Sequence, residues 1–294
     1  MNELPATEAL DPATAGIDRL DDLALARVLI ESQRAAVDAV LDAAKQVAVA
    51  IAEVAGALER GGRVVLVGAG TSGRLAVLDA AELQPTFGID PALVEGRIAG
   101  GDAALRRAIE GAEDDVEAGA RVVDDVGARD VVIGISASGG APFVRAALSA
   151  ARMRGARTIA IVNAPLAPLA READVAIVAA TGSEPIQGST RMRAGTAQKI
   201  VLNAISTGAM VRLGKTYGNR MVDLVASNAK LHARSERLVR DLAGDVDARA
   251  LLAAAGGAVK TAVVMAWLRV ERAEAERLLR AAGGRLGKVI DGPS

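Results

Sequence analysis

The chain has 294 residues, a net charge of −1, about half of its residues apolar and almost no aromatic side chains. A near-neutral balance supplies no basic surface for nucleic acid, and the scarcity of aromatics removes base-stacking platforms. With no cysteine and one histidine, disulfide frameworks, thiolate metal sites and multi-histidine centres are excluded, and no metal or cofactor is expected. The length suits a large core and more than one structural unit. No uninterrupted apolar run reaches membrane-spanning length and the acidic start is unlike a secretion signal, so a cytoplasmic enzyme or binding protein is expected.

Residues 1–20 are polar and turn-prone. Asp21-Asp22 cap a helical segment, and a second helix is predicted from Ala35 to Leu58, with Val37, Val40, Leu41, Ala44, Val47, Ile51, Val54 and Leu58 as its apolar stripe. Such a stripe packs on a domain or on another subunit. Gly61-Gly62 ends it, so residues 1–60 form an N-terminal helical segment.

Residues 63–88 are the stretch around which the rest of the chain is arranged. Val64-Val65-Leu66-Val67 reads as a strand buried on both faces, Gly68-Ala69-Gly70-Thr71-Ser72-Gly73 as a tight turn, and Leu75, Leu78 and Glu82 as the stripe of a helix that ends near Gln84-Pro85. A strand, a glycine-rich turn and a helix start make an anion site, because the first helical N–H groups have no partner within the helix. The glycines also satisfy G-x-G-x-x-G. However, the second predicted strand, Ala92–Ala99, ends in Gly100-Gly101 without the acid that would hold a dinucleotide ribose. No lysine is present for a P-loop. Thr71 and Ser72 add hydroxyl donors, which suits a sugar phosphate.

Strands and helices alternate from Arg63 to about Val178, within a domain expected over residues 61–230, with further strands at Val131–Ile135, Thr158–Val162 and Val175–Val178. The prediction is an α/β domain with a five-stranded parallel sheet flanked by helices. Ligands bind such sheets at the carboxyl ends of the strands. Three loops at those ends are rich in hydroxyls and glycine: Gly70-Thr71-Ser72-Gly73, Ser136-Ala137-Ser138-Gly139-Gly140 and Thr181-Gly182-Ser183-Glu184.

Binding loops need reactive groups beside them. Glu82 falls on the apolar stripe of its helix. A helix predicted from about Asp102 to Val123 carries Glu110, Glu113 and Glu117; on a helical wheel Glu113 lies about 60° from the apolar centre and the other two about 100–120° away. Glu113 is therefore the acid of that group expected to be partly buried, and burial raises a carboxyl pKa toward the range useful for proton transfer.

These stretches carry a resemblance. Gly68 to Leu75, Leu78-Asp79-Ala80, Pro85-Thr86-Phe87-Gly88, Ile98-Ala99-Gly100-Gly101, Glu110-Gly111-Ala112-Glu113-Asp114, Gly188-Ser189-Thr190-Arg191-Met192, Ala194 to Lys199 and Tyr217-Gly218-Asn219 are similar to the N-acetylmuramic acid 6-phosphate etherases. The resemblance spans nearly the whole chain. It implies a sugar isomerase (SIS) fold, a homodimer, no cofactor, and cleavage of the lactyl ether of a phosphorylated amino sugar by elimination and hydration. It places the proton donor at Glu82 and the second acid/base at Glu113, with Gly70, Thr71, Ser72, Ser136, Ser138, Gly139, Ser183, Glu184, Thr190 and Arg191 as substrate-binding residues. A helix rise of roughly 12–15 Å from the Ser72 turn to Glu82 means that either the helix breaks early or Glu82 serves the other subunit's pocket, and shared active sites are the expectation.

The chain departs from that pattern after Ser138-Gly139, where Gly140 and Ala141 replace an arginine and a threonine. Thr190 and Arg191 are the residues placed to compensate. A non-catalytic phosphosugar regulator and a phosphosugar isomerase are the competing readings; the presence of both Glu82 and Glu113 favours the etherase.

Beyond the loops, Ala194–Met210 is predicted as a long helix of small residues, with Lys199, Lys215 and Arg191 either steering an anion or lying on the surface. His232 reads as a solvated helical residue, and Tyr217 and Trp267 as packing residues. Residues 231–294 read as a C-terminal domain, with three helices between Asp245 and Ile290.

Overall fold

The computed structural model describes residues 6–226 and 228–292. Val64, Val65, Leu66 and Val67 are almost wholly inaccessible and form β1 (Val64–Gly68), an interior strand of a five-stranded sheet. The other strands are β2 (Val94–Ile98), β3 (Val131–Ser136), β4 (Arg157–Val162) and β5 (Val175–Val178), in the order β2-β1-β3-β4-β5. Every neighbouring pair is parallel. β1 and β3 are buried along their whole length, as continuous apolar runs in a parallel sheet should be. The chain leaves β1 toward β2 on one side and returns to β3 on the other, so the order reverses between β1 and β3. That reversal opens a crevice at their carboxyl ends.

The chain divides into two compact units. One is Met1–Ala81 with Ala92–Ser206, and the other is Glu82–Pro91 with Thr207–Ser294. The first holds the sheet. Asp21 caps α1 (Asp22–Glu31) by accepting the Ala24 N–H at 2.8 Å. The helix expected over 35–58 is instead two, α2 (Arg34–Asp42) and α3 (Ala44–Glu59), broken at Ala43. Neither glycine nor proline marks that break, and the buried line Ala36, Ala39, Val40, Val47, Ala50, Val54 keeps helical phase across it. Val37 and Leu41, assigned to the buried stripe, are 48% and 66% exposed.

Helix α4 (Gly70–Phe87) continues through Pro85, where it was expected to stop, and ends at Gly88, whose N–H bonds the Gln84 carbonyl at 2.9 Å. Its buried face is Ser72, Ala76, Asp79 and Leu83. The expected stripe is wrong: Leu78 is 44% exposed and Glu82 is exposed.

The helix expected over 102–123 is also broken. The segment is a short helix, α5 (Ala103–Arg106), a tight turn at Ala112–Asp114, and α6 (Val116–Arg121). Gly111 takes a left-handed conformation, and Asp115 accepts the Ala118 N–H at 2.8 Å to start a new helix. Helices α7 (Pro142–Met153) and α8 (Pro168–Glu172) each begin with a proline in the first turn, and α9 (Arg193–Arg212) comes next. Phe143, Val144, Ala147 and Leu148 of α7 pack with Val65, Val67 and Val132 in the sheet's core.

The second unit contains a two-stranded ribbon, β6 (Thr216–Tyr217) and β7 (Arg220–Met221), and helix α10 (Ala229–Ala243), capped by Asn228. Then come α11 (Ala248–Ala254), α12 (Val259–Leu268), α13 (Arg272–Ala281) and α14 (Leu286–Ile290). There are four helices where three were expected, because the chain resumes a helix after Gly283-Gly284 around the fully buried Leu286. Leu238, Val239, Leu252, Val263 and Leu279 form its core with Val222 and Leu224. A buried cation sits in this unit: Lys260 Nζ lies 2.6 Å from Asp223 and 2.7 Å from the Gly284 carbonyl, and Lys215 approaches Asp223 at 3.2 Å. Burial lowers the Lys260 pKa, and the Asp223 charge opposes that shift. Trp267 is half exposed rather than packed, its indole N–H bonded to the Leu242 carbonyl at 2.7 Å.

Candidate functional site

A cavity of about 270 Å³ opens where the sheet order reverses. Its lining comes from the turn after β1 (Ala69, Gly70, Thr71, Ser72), the end of β3 and its loop (Ile135 to Ser138, Ala141), the turn bearing Glu113, and Thr190 and Glu8. Seven of the residues expected from sequence meet there: Gly70, Thr71, Ser72, Glu113, Ser136, Ser138 and Thr190. A larger groove of about 610 Å³, lined by Pro142, Arg145, Ser149 and Arg171 among others, contains none of them. The smaller cavity is the better candidate because polar groups converge on it at the carboxyl edge of the sheet.

The turn after β1 is held by close backbone contact. A Cβ at Gly73 would lie 2.5 Å from Ile98 and 2.6 Å from the Gly68 carbonyl, so only glycine brings α4 this close to the strand. The start of α4 thereby faces the cavity with N–H groups that have no partner within the helix and with the positive end of the helix dipole. The Ser72 hydroxyl, however, donates to Gln198 Oε1 at 2.9 Å. Gln198 Nε2 donates to Asn163 Oδ1 at 2.9 Å, and Asn163 Nδ2 to the Ala179 carbonyl at 3.0 Å. Ser72 therefore contributes its position in the helix start, and its side chain ties the turn to α9 and to the end of β4.

In the second loop the Ser136 hydroxyl accepts the Gly139 N–H at 3.1 Å and the Ser138 hydroxyl accepts the Gly140 N–H at 3.2 Å. Each serine O–H is thus left to donate. Gly139 itself is structural: its φ is +69°, and a Cβ there would lie 2.5 Å from the Ala167 side chain. None of the residues lining the cavity is cationic.

Glu113 lies on the exposed turn at Ala112–Asp114, not on a helix face. Partial desolvation raises its carboxyl pKa above the ordinary value, and the neighbouring Asp114 charge adds to the shift. Glu82 is exposed on α4 and does not line the cavity.

Four other expected residues fall elsewhere. Glu184 is fully buried and accepts the Arg193 and Ala194 N–H groups at 2.8 and 2.9 Å, capping α9. Burial raises its pKa, while those N–H groups and the Arg193 charge oppose the rise. The Ser183 carbonyl receives the Arg193 guanidinium. Arg191 is exposed, and neither it nor Gly139 lines the cavity.

The cations noted in the sequence serve local pairs. Lys199 donates to Asn203 at 2.7 Å and approaches the buried Asp79 at 3.7 Å, while Lys215 pairs with Asp223. His232 is exposed, as expected for a solvated helical residue. Among the described residues no cluster of three or more His, Asp or Glu side chains is arranged to hold a metal ion, and no single helix is long and apolar enough to cross a membrane.

Sequence patterns gave little sign of Asn163 or of Glu8's place in the cavity, because both depend on segments distant in the chain. Gln198 belongs to a recognisable motif, but its role emerges only from its contacts.

Residues 46–152 match the glucokinase regulatory protein N-terminal SIS domain family, and residues 108–207 match the SIS domain family. Over 294 residues, 99% of this chain and 96% of the relative, the sequence is 49% identical to an N-acetylmuramic acid 6-phosphate etherase of Deinococcus radiodurans. The chain belongs to the N-acetylmuramic acid 6-phosphate etherase family. A second member, from Gloeobacter violaceus, is also 49% identical, over 97% of this chain and 94% of its own length. In fold, the chain is similar to a phosphoheptose isomerase from Francisella tularensis, with a TM-score of 0.51 and 18% identity, covering 65% of this chain and all of that one.

Proposed function

We propose that this chain cleaves the D-lactyl ether of N-acetylmuramic acid 6-phosphate, giving N-acetylglucosamine 6-phosphate and D-lactate for cell-wall sugar recycling. The observation that carries this reading is the cavity at the β1/β3 crevice. It joins a helix start and hydroxyl loops with Glu113 at one rim, in a chain 49% identical to an etherase. The phosphate sits against the first N–H groups of α4 and the hydroxyls of Thr71, Ser136, Ser138 and Thr190. Anion binding here relies on oriented dipoles, because Gly140 and Ala141 supply neither cation nor hydroxyl.

In the reaction a carboxylate removes the C2 proton of the open-chain sugar. The C3–O bond breaks, and a carboxylic acid protonates the departing lactate oxygen. Water then adds across the unsaturated aldehyde, its hydroxyl to C3 and its proton to C2. Glu113, with its raised pKa, suits one of these proton transfers. Glu82 takes the other and reaches a neighbouring copy's cavity in a homodimer. Ten residues of continuous helix separate it from Ser72, a rise of about 15 Å, more than the span from a sugar's phosphate to its C2–C3 edge. The exposed Leu23, Ile30, Val37 and Leu41 on α1 and α2 suit a contact between copies.

The test is lactate release from N-acetylmuramic acid 6-phosphate by the wild type and by Glu82→Gln and Glu113→Gln variants. Lactate from the wild type alone supports the assignment. Sugar-phosphate binding without lactate refutes it in favour of a regulator. Mixed dimers of Glu82→Gln and a Ser72-loop variant recover activity if sites are shared; no recovery places both groups in one subunit.

A further inference from the structure

The cavity contains a second carboxylate, and it comes from the N-terminal segment. Glu8, in the turn Ala6–Glu8, is half-buried and lines the same space as Ser72, Ser138 and Glu113. Several contacts hold its segment to the loop preceding α9. Gln187 Nε2 donates to the Glu8 carbonyl at 2.9 Å, and the Thr14 hydroxyl donates to the Pro185 carbonyl at 2.9 Å. Arg193 pairs with Asp11 at 2.9 Å, both side chains largely buried. The carboxyl group itself packs against Gly188. There φ is +70°, and an added Cβ would come within 2.9 Å of Glu8 Oε2. In a cavity without cationic side chains a fixed carboxylate repels a phosphate, so the phosphate belongs at the α4 helix start and the carboxylate faces another part of the ligand. As a hydrogen-bond acceptor only, it requires donors. A sugar phosphate offers these at its hydroxyls and its acetamido N–H, away from the phosphate.

We infer that Glu8 is a substrate-binding residue of this cavity, accepting hydrogen bonds from the sugar's hydroxyl and amide donors and setting the end of the cavity that the phosphate does not occupy. The inference rests on the etherase reading for the identity of the sugar. The Glu8 turn and Gly188 together form a wall built to present that carboxylate, so the 6–14 segment is part of the binding site.

The experiment compares the wild type with Glu8→Gln and Gly188→Ala in two assays: lactate release from N-acetylmuramic acid 6-phosphate, and direct calorimetric binding of N-acetylglucosamine 6-phosphate. Glu8→Gln keeps the side chain's shape and the backbone bond to Gln187, so its melting temperature should stay within a few degrees of the wild type. Loss of a charged acceptor should raise KM and weaken product binding about tenfold or more, with a smaller change in kcat. Gly188→Ala should weaken binding in the same direction by displacing the carboxylate. Unchanged KM and product affinity in a folded Glu8→Gln variant overturn the inference. So does a fall in kcat alone, which would make Glu8 part of the proton chemistry. If the wild type releases no lactate, the etherase reading fails by itself, and the binding assay still reports on Glu8.

Discussion

Gln198→Leu tests the physical account of the phosphate turn most directly. Gln198 is 1% exposed and is bonded on one side to Ser72 and on the other to Asn163, itself fully buried. Leucine of similar volume removes both bonds, each contributing about 1 kcal/mol net, and leaves Asn163 Oδ1 buried without its donor at a cost of about 1–3 kcal/mol. The added apolar burial returns part of this, so a net loss of about 2–4 kcal/mol is expected. For a chain of this size that lowers the melting temperature by roughly 4–10 °C. The Ser72 end differs, since it borders the cavity: a freed hydroxyl there reaches water, but the turn loses its tie to α9. Affinity for N-acetylglucosamine 6-phosphate should therefore fall along with stability. Thermal melts and calorimetry on Gln198→Leu, Asn163→Leu and the double variant form the assay. Both single changes delete the same Gln198–Asn163 bond, so their effects must be non-additive by about 1 kcal/mol or more. Strict additivity, or a single variant as stable as the wild type, refutes the idea that this chain of amides supports the turn.

Three further outcomes are expected. Glu113 has its pKa raised by folding, so the folded state holds its proton more tightly than the unfolded state, and the stability it contributes falls as pH rises through the interval above its ordinary value of 4.5. Melting curves of wild type and Glu113→Gln from pH 4 to 8 should diverge in that sense, with the variant relatively more stable at the higher pH and inactive in lactate release. Gly139→Ala combines an unfavourable φ of +69° with a clash against Ala167, and should cost about 1–3 kcal/mol in denaturant unfolding while weakening sugar-phosphate binding through the Ser136–Ser138 loop. Asp223→Ala removes a counter-charge from the buried Lys260 and should destabilise the second unit by about 3–5 kcal/mol, visible as early loss of amide protection in α12.

Much of this protein is determined by short-range pattern. The five strands, their parallel pairing and the turn at Gly68–Gly73 follow from apolar runs long enough to be buried on both faces and from glycines where strand and helix must touch. The hydroxyl loops were legible for the same reason, since their position follows from the strands they terminate. The helical wheels were less secure. One assumed an unbroken helix through Gly111 and the other assumed that Leu78 faced inward, and both failed because a backbone break or a change of buried face leaves composition untouched. Glu113 reached the cavity on a turn, by a route the periodicity did not describe.

Only the tertiary structure separated Glu184, drawn inward to cap α9, from the loop hydroxyls beside it in sequence. Only it joined Ser72 to Gln198 across 126 residues of chain and Gln198 to Asn163 across 35, and brought Glu8 against Gly188. The physical reason is the range of the forces involved. Burial of apolar runs and backbone strain act on neighbouring residues and leave a periodic trace in the sequence. A buried polar group is satisfied by whichever partner the finished fold places within about 3 Å, and that partner's position in the chain carries no period at all.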